Sequence, residues 1–220
     1  MTEESKQALV DQMAGDMVKN RIQLCCELTV PAYLNAIEEL RIRLQEEQGY
    51  EVIEFTKWRI KSPESIVEKL LRKGRTPDFE TAVASLNDLV GIRIVTTLYE
   101  DVYTVVDAIK EMEIFKIRKI KDYVKEPKDS GYRSVHIILD LELGIYTIGM
   151  EIQVRSEAMN FWSVLQHMAS YHKYDKDDKE SKKIERELVR CSIDVAKIDR
   201  RMEKIHQRID HKIEKAKEES

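Results

Sequence analysis

Two carboxylates, Asp88 and Glu151, stand at or within β-type stretches of a chain of 220 residues. Carboxylates so placed suit Mg²⁺, which takes one or two from a protein and leaves its other positions to phosphate and water. Between them runs a basic loop, from Lys121 to His136, that leads straight into an alternating strand. In it Lys125, Lys128 and Arg133 can meet phosphates, Gly131 can take a positive φ, and Tyr132 offers a flat face to a base. The following strand sets Gly149, Glu151, Gln153 and Arg155 on one face, and the glycine there would let a ligand come close. Polyphosphate chemistry needs a metal held by carboxylates, cations along the phosphates and surfaces that grip bases, and this region offers all three.

Charge supports that reading. The chain carries a net −4, yet seven Lys/Arg face two Glu between Lys57 and Arg75, and seven face three acids between Lys116 and Arg133. Local positive patches in an acidic protein suit a small polyanion such as a nucleotide polyphosphate better than a long nucleic acid or an anionic membrane. The three cysteines, Cys25, Cys26 and Cys191, fit neither a disulfide framework nor a zinc site. With no export signal and no long apolar run, the chain is expected to be soluble and cytoplasmic, with no membrane partner.

Strands and helices alternate around these residues. An N-terminal helical arm covers 1–50, with a helix break near Thr29 and Pro31. A short strand at Val52 to Phe55 precedes a helix opened by Ser62-Pro63-Glu64, burying Ile66, Val67, Leu70 and Leu71 and ending near Gly74 and Pro77. Leu89 to Thr97 reads as a strand, Asp101 to Met112 as an amphipathic helix, and Glu113 to Tyr123 as extended. Ser134 to Leu143 alternates with Val135, Ile137, Leu139, Leu141 and Leu143 on one face, and Tyr146 to Val154 repeats the pattern after Gly144. Beyond Ser156 the chain is helical, with Asp175 to Lys183 a charged connector or frayed helix start. Ile184, Leu188, Cys191, Val195, Ile198, Met202, Ile205, Ile209 and Ile213 then form a seam that can bury against the chain's own core or another subunit.

Five motifs in order resemble the synthetase domain of the RelA/SpoT alarmone enzymes, specifically the short, synthetase-only members known as small alarmone synthetases. They are Trp58-Arg59-Ile60-Lys61, Asp88-Leu89-Val90-Gly91-Ile92-Arg93, the loop and strand from Lys121 to His136, Glu151-Ile152-Gln153-Val154-Arg155, and Ala158-Met159-Asn160-Phe161-Trp162 followed by His167. The resemblance covers roughly Glu54 to Tyr174. Trp58 stands where small synthetases often carry a small residue, and Met168 to Lys173 also departs from the familiar pattern.

The resemblance implies an α+β fold: a mixed sheet of about five strands flanked by helices, nucleotidyltransferase-like, spanning 51–175, with an oligomerisation helix over 176–220. It implies a Mg²⁺-dependent pyrophosphokinase that moves pyrophosphate from ATP to the 3′-hydroxyl of GDP or GTP in the stringent response. Asp88 and Glu151 would be catalytic and hold the metal. Arg59 and Arg93 would sandwich adenine, with Lys61 and Lys121 also on the ATP side. Tyr132 would stack on guanine and Asn160 would read its edge, with Lys125, Lys128, Arg133, His136, Gln153, Arg155 and His167 about the phosphates and ribose. No hydrolase region precedes the synthetase part, so synthesis without degradation is expected. A homo-oligomer, a tetramer by analogy, is expected too. The alternatives are a toxin-like relative that pyrophosphorylates the tRNA 3′ end, and a catalytically silent nucleotide- or RNA-binding regulator.

Overall fold

The computed structural model describes residues 2–171 and 179–218. Helix α1 (Glu3–Lys19) begins at Thr2, whose hydroxyl accepts from the Ser5 N–H at 3.2 Å. It ends where the Asn20 amide donates to the Asp16 carbonyl and Arg21 turns left-handed at φ 53°. Helix α2 (Ile22–Gln48) then runs straight through Pro31. The expected break at Thr29 and Pro31 is therefore misplaced by about two turns. Pro31 removes one helical hydrogen bond, but Ile22, Cys26, Val30, Ile37, Leu40 and Leu44 keep one buried stripe across it, and tertiary packing wins over propensity.

Five strands follow in two blocks. Strand β1 (Ile53–Ile60) is twice the expected length and takes in Trp58 and Arg59. Helix α3 (Pro63–Arg72) has its N-cap at Ser62, buries Ile66, Val67 and Leu70, and leaves Leu71 half-buried. Gly74 follows at φ 63°, as the stop signal requires. A short helix, α4 (Phe79–Ser85), was not expected. Its signal is the Asp78 side chain, which accepts from the Thr81 N–H at 2.7 Å. Strand β2 (Val90–Thr96), helix α5 (Asp101–Glu111), and strands β3 (Ile117–Asp122), β4 (Val135–Leu143) and β5 (Tyr146–Ser156) follow the expected order.

The sheet order is β1-β2-β5-β4-β3, with β2 and β5 parallel and every other pair antiparallel. This is the mixed five-stranded sheet flanked by helices that the resemblance implied. At one register Trp58, Ile92, Ile152, Ile137 and Ile120 are successive cross-strand neighbours. They share a face because strand side chains alternate, and α2 and α5 close over it to form one core with Ile37, Leu40, Val102, Val105 and Ile109. Trp58 is half-buried against that core.

The opposite face is only partly covered. Helix α6 (Glu157–Tyr171) lies at one end of it, and the long helix α7 (Lys179–Glu218) packs behind α6. The sequence left the α7 seam with two possible partners. In the chain itself the seam divides: Ile184, Leu188 and Val195 are half-buried, and from Ile198 on it turns outward, with Ile198, Met202, Ile205, Ile209 and Ile213 42–58% exposed, whereas Ser192, Ala196, Asp199 and Glu203 are buried. The Asp175 end of the charged connector lies outside the described residues, and Lys179 to Lys183 is already helix. Among the described residues no helix is long and apolar enough to cross a membrane.

Candidate active site

Strand register gathers the polar residues. One step along from the apolar row, Lys57, Arg93, Gln153, His136 and Lys121 are cross-strand neighbours over all five strands. On the same face, two residues on, lie Arg59, Gly91, Glu151, Ile138 and Lys119. Gly91 places no side chain between Arg59 and Glu151, and open space lies above it. The row thus runs from guanidinium to carboxylate across a gap.

Asp88 arrives from the turn before β2, fixed on both sides by backbone hydrogen bonds. Leu89 N–H donates to the Gly149 carbonyl at 3.1 Å, and Lys61 N–H donates to the Leu89 carbonyl at 2.8 Å. Gly149 was expected to admit a ligand. Instead it admits backbone: a Cβ there would stand 2.3 Å from the Leu86 carbonyl oxygen. Lys69 and Lys61 both donate to Asp88 Oδ2, at 2.6 and 3.1 Å, while Oδ1 is buried with no hydrogen-bond partner. Burial works to raise the Asp88 pKa, but the two ammonium groups outweigh it and hold the carboxyl below its usual range.

Glu151 belongs to a chain of contacts. Its Oε1 lies 2.9 Å from His136 Nδ1, its Oε2 accepts from Gln153 Nε2 at 2.7 Å, and His136 Nε2 lies 2.9 Å from the Tyr132 hydroxyl. Here too burial is opposed and outweighed, by His136 and Gln153, so Glu151 is held low. Tyr123 sets its ring edge-on to His136 at 5.0 Å, and Lys128 Nζ sits over the rings of Tyr123 and Tyr132 at 4.5 and 4.8 Å. Burial, helped by Lys121, Lys69 and Arg72, pulls the Lys128 ammonium down despite Glu151. The Arg155 guanidinium is pulled down to about 10 by burial.

These groups line a cleft of about 880 Å³. Its wall holds nine Lys and Arg side chains against Glu68, Asp88 and Glu151. Such a surplus suits a ligand with several negative charges. Buried polar atoms rarely go unpaired, yet Asp88 Oδ1, Arg93 Nε, Arg155 Nε and Ser163 Oγ, all on residues of this wall, have no partner within the protein. No cluster of three or more metal-ligating side chains occurs among the described residues. The paired carboxylates, one with an unengaged buried oxygen, fit Mg²⁺, whose remaining positions phosphate and water would fill.

Of the residues singled out in the sequence, the cleft brings together Arg59, Lys61, Asp88, Arg93, Lys121, Lys128, Tyr132, His136, Glu151, Gln153, Arg155 and His167. It does not bring in Lys125, Arg133 or Asn160. The Arg133 guanidinium turns back to donate to the Val124 carbonyl at 2.9 Å. Lys125 lies over the Tyr103 ring at 5.0 Å and near Asp122 at 3.7 Å. Asn160 stands in the first turn of α6, which Ser156 caps by accepting from the Met159 N–H at 3.2 Å. Sequence reasoning missed Ser65, Lys69, Arg72 and Lys73, which α3 presents to the cleft opposite its buried Ile66, Val67 and Leu70. The helical spacing of these residues, in a stretch already marked as basic, was the available signal. Tyr123 and Ser163 were also missed.

Comparison with known proteins places this architecture. Residues 58–177 match the family model described as "Region found in RelA / SpoT proteins". The chain is 40% identical over 133 residues to GTP pyrophosphokinase YwaC of Bacillus subtilis, an alignment covering 59% of this chain and 63% of that protein. It is 33% identical over 184 residues to GTP pyrophosphokinase YjbM of the same organism, covering 79% of this chain and 84% of the relative. The crystal structure of small alarmone synthetase 1 from Bacillus subtilis bound to its product pppGpp superposes with a TM-score of 0.73 at 29% identity, covering 90% of this chain and 98% of that one.

Proposed function

This chain belongs to the RelA/SpoT family, and on that premise we propose that it is a (p)ppGpp synthetase, a GTP pyrophosphokinase that transfers pyrophosphate from ATP to the 3′-hydroxyl of GDP or GTP. The observation that carries the reading is the order of groups across one sheet face. Arg59 and Arg93 stand on β1 and β2, Glu151 on the central β5, and His136, reaching Tyr132, on β4. ATP would lie over β1 and β2, its adenine between two guanidinium planes, which stack as well as carry charge. The guanosine nucleotide would lie toward β4 and β3, its base on Tyr132. The two substrates would then meet over Glu151.

In this arrangement the 3′-oxygen attacks the β-phosphorus of ATP, the bond from that phosphorus to the α,β-bridging oxygen breaks, and AMP leaves. Glu151 accepts the proton of the 3′-hydroxyl, kept ionised and aimed by His136 and Gln153. Lys61, Lys69, Arg72 and Lys128 line the phosphate path and offset its charge. Asp88 and Glu151 would hold Mg²⁺, which when bound neutralises negative charge on the phosphoryl oxygens. Catalysis then rests on positioning and charge rather than a covalent intermediate.

Two further parts of the proposal have physical support. The exposed apolar row on α7 is the kind of surface that a second copy would cover, so we take the working form to be a homo-oligomer, a tetramer by likeness to small synthetases. Three free cysteines fit a reducing cytoplasm. The decisive experiment incubates the protein with labelled ATP and Mg²⁺ plus GDP, GTP or tRNA, then separates the products. AMP together with 3′-pyrophosphorylated guanosine nucleotide is expected. Label on the tRNA 3′ end alone, or no turnover with any acceptor, overturns the proposal.

A further inference from the structure

The buried face of α7 is its polar one, which is the reverse of what a helix kept only for stability would show. Three of its buried polar groups, Ser192, Asp199 and Glu203, make specific contacts with the catalytic domain. Ser192, 3% exposed, donates through Oγ to the carbonyl of Gly131, the residue immediately before Tyr132. Gly131 sits at φ 87°, and a Cβ added there would come within 2.8 Å of Ser192 Cβ and 3.4 Å of Trp162 Cζ2. Trp162, on α6, donates its indole N–H to the Leu188 carbonyl of α7 at 2.8 Å. Two turns further along α7, Asp199 accepts from Ser156 Oγ at 2.5 Å. Ser156 is the residue that caps α6, the helix bringing Ser163, Gln166 and His167 to the cleft wall.

We infer that α7 is a back-plate for the acceptor subsite, with Ser192 and Asp199 as positioning residues for the guanosine nucleotide. Neither touches the cleft. Each grips a segment beside Tyr132: Ser192 the loop that carries it, Asp199 the start of α6, whose Trp162 flanks Gly131. The two lie seven residues apart on a continuous helix, so they hold those segments at a fixed separation of ~10.5 Å along its axis. A helix is stiff along its length, and a slide of one residue, ~1.5 Å, would break both bonds together. An apolar interface tolerates small slips, whereas buried hydrogen bonds of fixed direction do not. That is the physical reason to set polar groups here and turn the apolar seam outward.

The inference rests on the assignment of Tyr132 to the guanosine substrate, and its test separates the two. Ser192→Ala, Asp199→Leu and Tyr132→Ala are made in the full chain, and GDP and ATP are each varied with the other saturating. Loss of one positioning hydrogen bond is expected to raise the KM for GDP by ~2–10-fold. The KM for ATP, and kcat at saturating GDP, should stay within about twofold, a split that general destabilisation would not produce. Asp199→Leu keeps the side-chain size while removing the acceptor of the Ser156 hydroxyl, and it carries the comparison if Ser192→Ala does not fold. Should Tyr132→Ala raise the KM for GDP while both α7 variants leave it unchanged, the back-plate inference is overturned and the acceptor assignment stands. An equal rise in both KM values also overturns the inference. If Tyr132→Ala spares GDP, the acceptor assignment itself falls.

Discussion

Gly149 and Asn87 lie so close that a Cβ on the glycine would stand 2.4 Å from the Asn87 Cα, nearer than real atoms come. The turn that delivers Asp88 is thus seated in a notch on β5, two residues from Glu151. Gly149→Ala must push that turn outward and Asp88 with it. Overpacking of this kind costs ~1–3 kcal/mol, while a misplacement near 1 Å can cost on the order of 10²-fold in rate. Turnover is therefore expected to fall by about that factor with only a modest loss of thermal stability. Calorimetry beside a turnover assay checks it, and wild-type kcat in a folded Gly149→Ala protein would show that Asp88 is not placed by this notch.

Asp88→Asn and Glu151→Gln keep shape and remove a negative ligand. Synthesis is expected to drop at least ~10³-fold in each, roughly 4 kcal/mol of transition-state stabilisation, with folding intact. Excess EDTA should abolish activity of the unmodified protein. Glu151→Gln should lower kcat even at saturating Mg²⁺, because it also loses the group that accepts the 3′-hydroxyl proton. AMP release is the readout, and full turnover in EDTA would place the chemistry elsewhere.

The acid dependence of stability has a sign that can be worked out. Asp88 and Glu151 titrate below the usual carboxylate range, so in the folded chain they bind fewer protons than in the unfolded one. Their contribution is complete above the unfolded value of about 4 and is lost as pH falls through their lower folded values. Asp101 runs the other way. Burial raises it, so it favours the folded state at low pH and costs stability as pH rises from about 4 through its raised folded value. Melting curves should show the deficit of Asp88→Asn, relative to wild type, shrinking on acidification, and that of Asp101→Asn growing. Parallel shifts at every pH would contradict these directions.

Arg59→Ala and Arg93→Ala should weaken use of ATP far more than use of GDP. Each removes one face of the adenine sandwich, and a base-stacking contact is worth ~1–3 kcal/mol, or about 5–150-fold in KM. Tyr132→Ala should show the reverse pattern. Steady-state KM values for both substrates in all three variants decide the assignment, and a change in the same substrate throughout would undo it.

Ile198→Asp combined with Ile205→Asp places two charges on an apolar row that is open in the single chain, at 58% and 42% exposure. Folding of the protomer should be little affected. The assembly should shift to a smaller species, since a buried unpaired charge is strongly destabilising. Light scattering at micromolar concentration measures the mass directly, and an unmodified protein already monomeric there would remove the oligomer claim.

How much of this was legible in the sequence depends on whether the signal is local. Strand alternation alone separated Glu151, Gln153 and Arg155 from Ile152 and Val154, because the side-chain period is two whatever the strand packs against. Caps at Ser62 and the stop at Gly74 were readable for the same reason. The helix break was not: Pro31 is a strong local breaker, but a buried stripe on both sides of it overrides the one lost hydrogen bond.

The remaining features belong to tertiary structure. Lys69 meets Asp88 only because α3 folds back over the turn before β2, and nothing in a 19-residue separation announces a 2.6 Å contact. Arg133 and Tyr132 are adjacent, yet backbone geometry at the loop sends one to the Val124 carbonyl and the other to His136. Gly149 reads identically whether a ligand or a backbone approaches it, and only the fold says which. The α7 seam was visible as periodicity, but which way it faces was decided by Ser192 and Asp199, whose partners lie 61 and 43 residues away. A sequence states which residues can share a face; what that face meets is set by contacts between segments far apart in the chain.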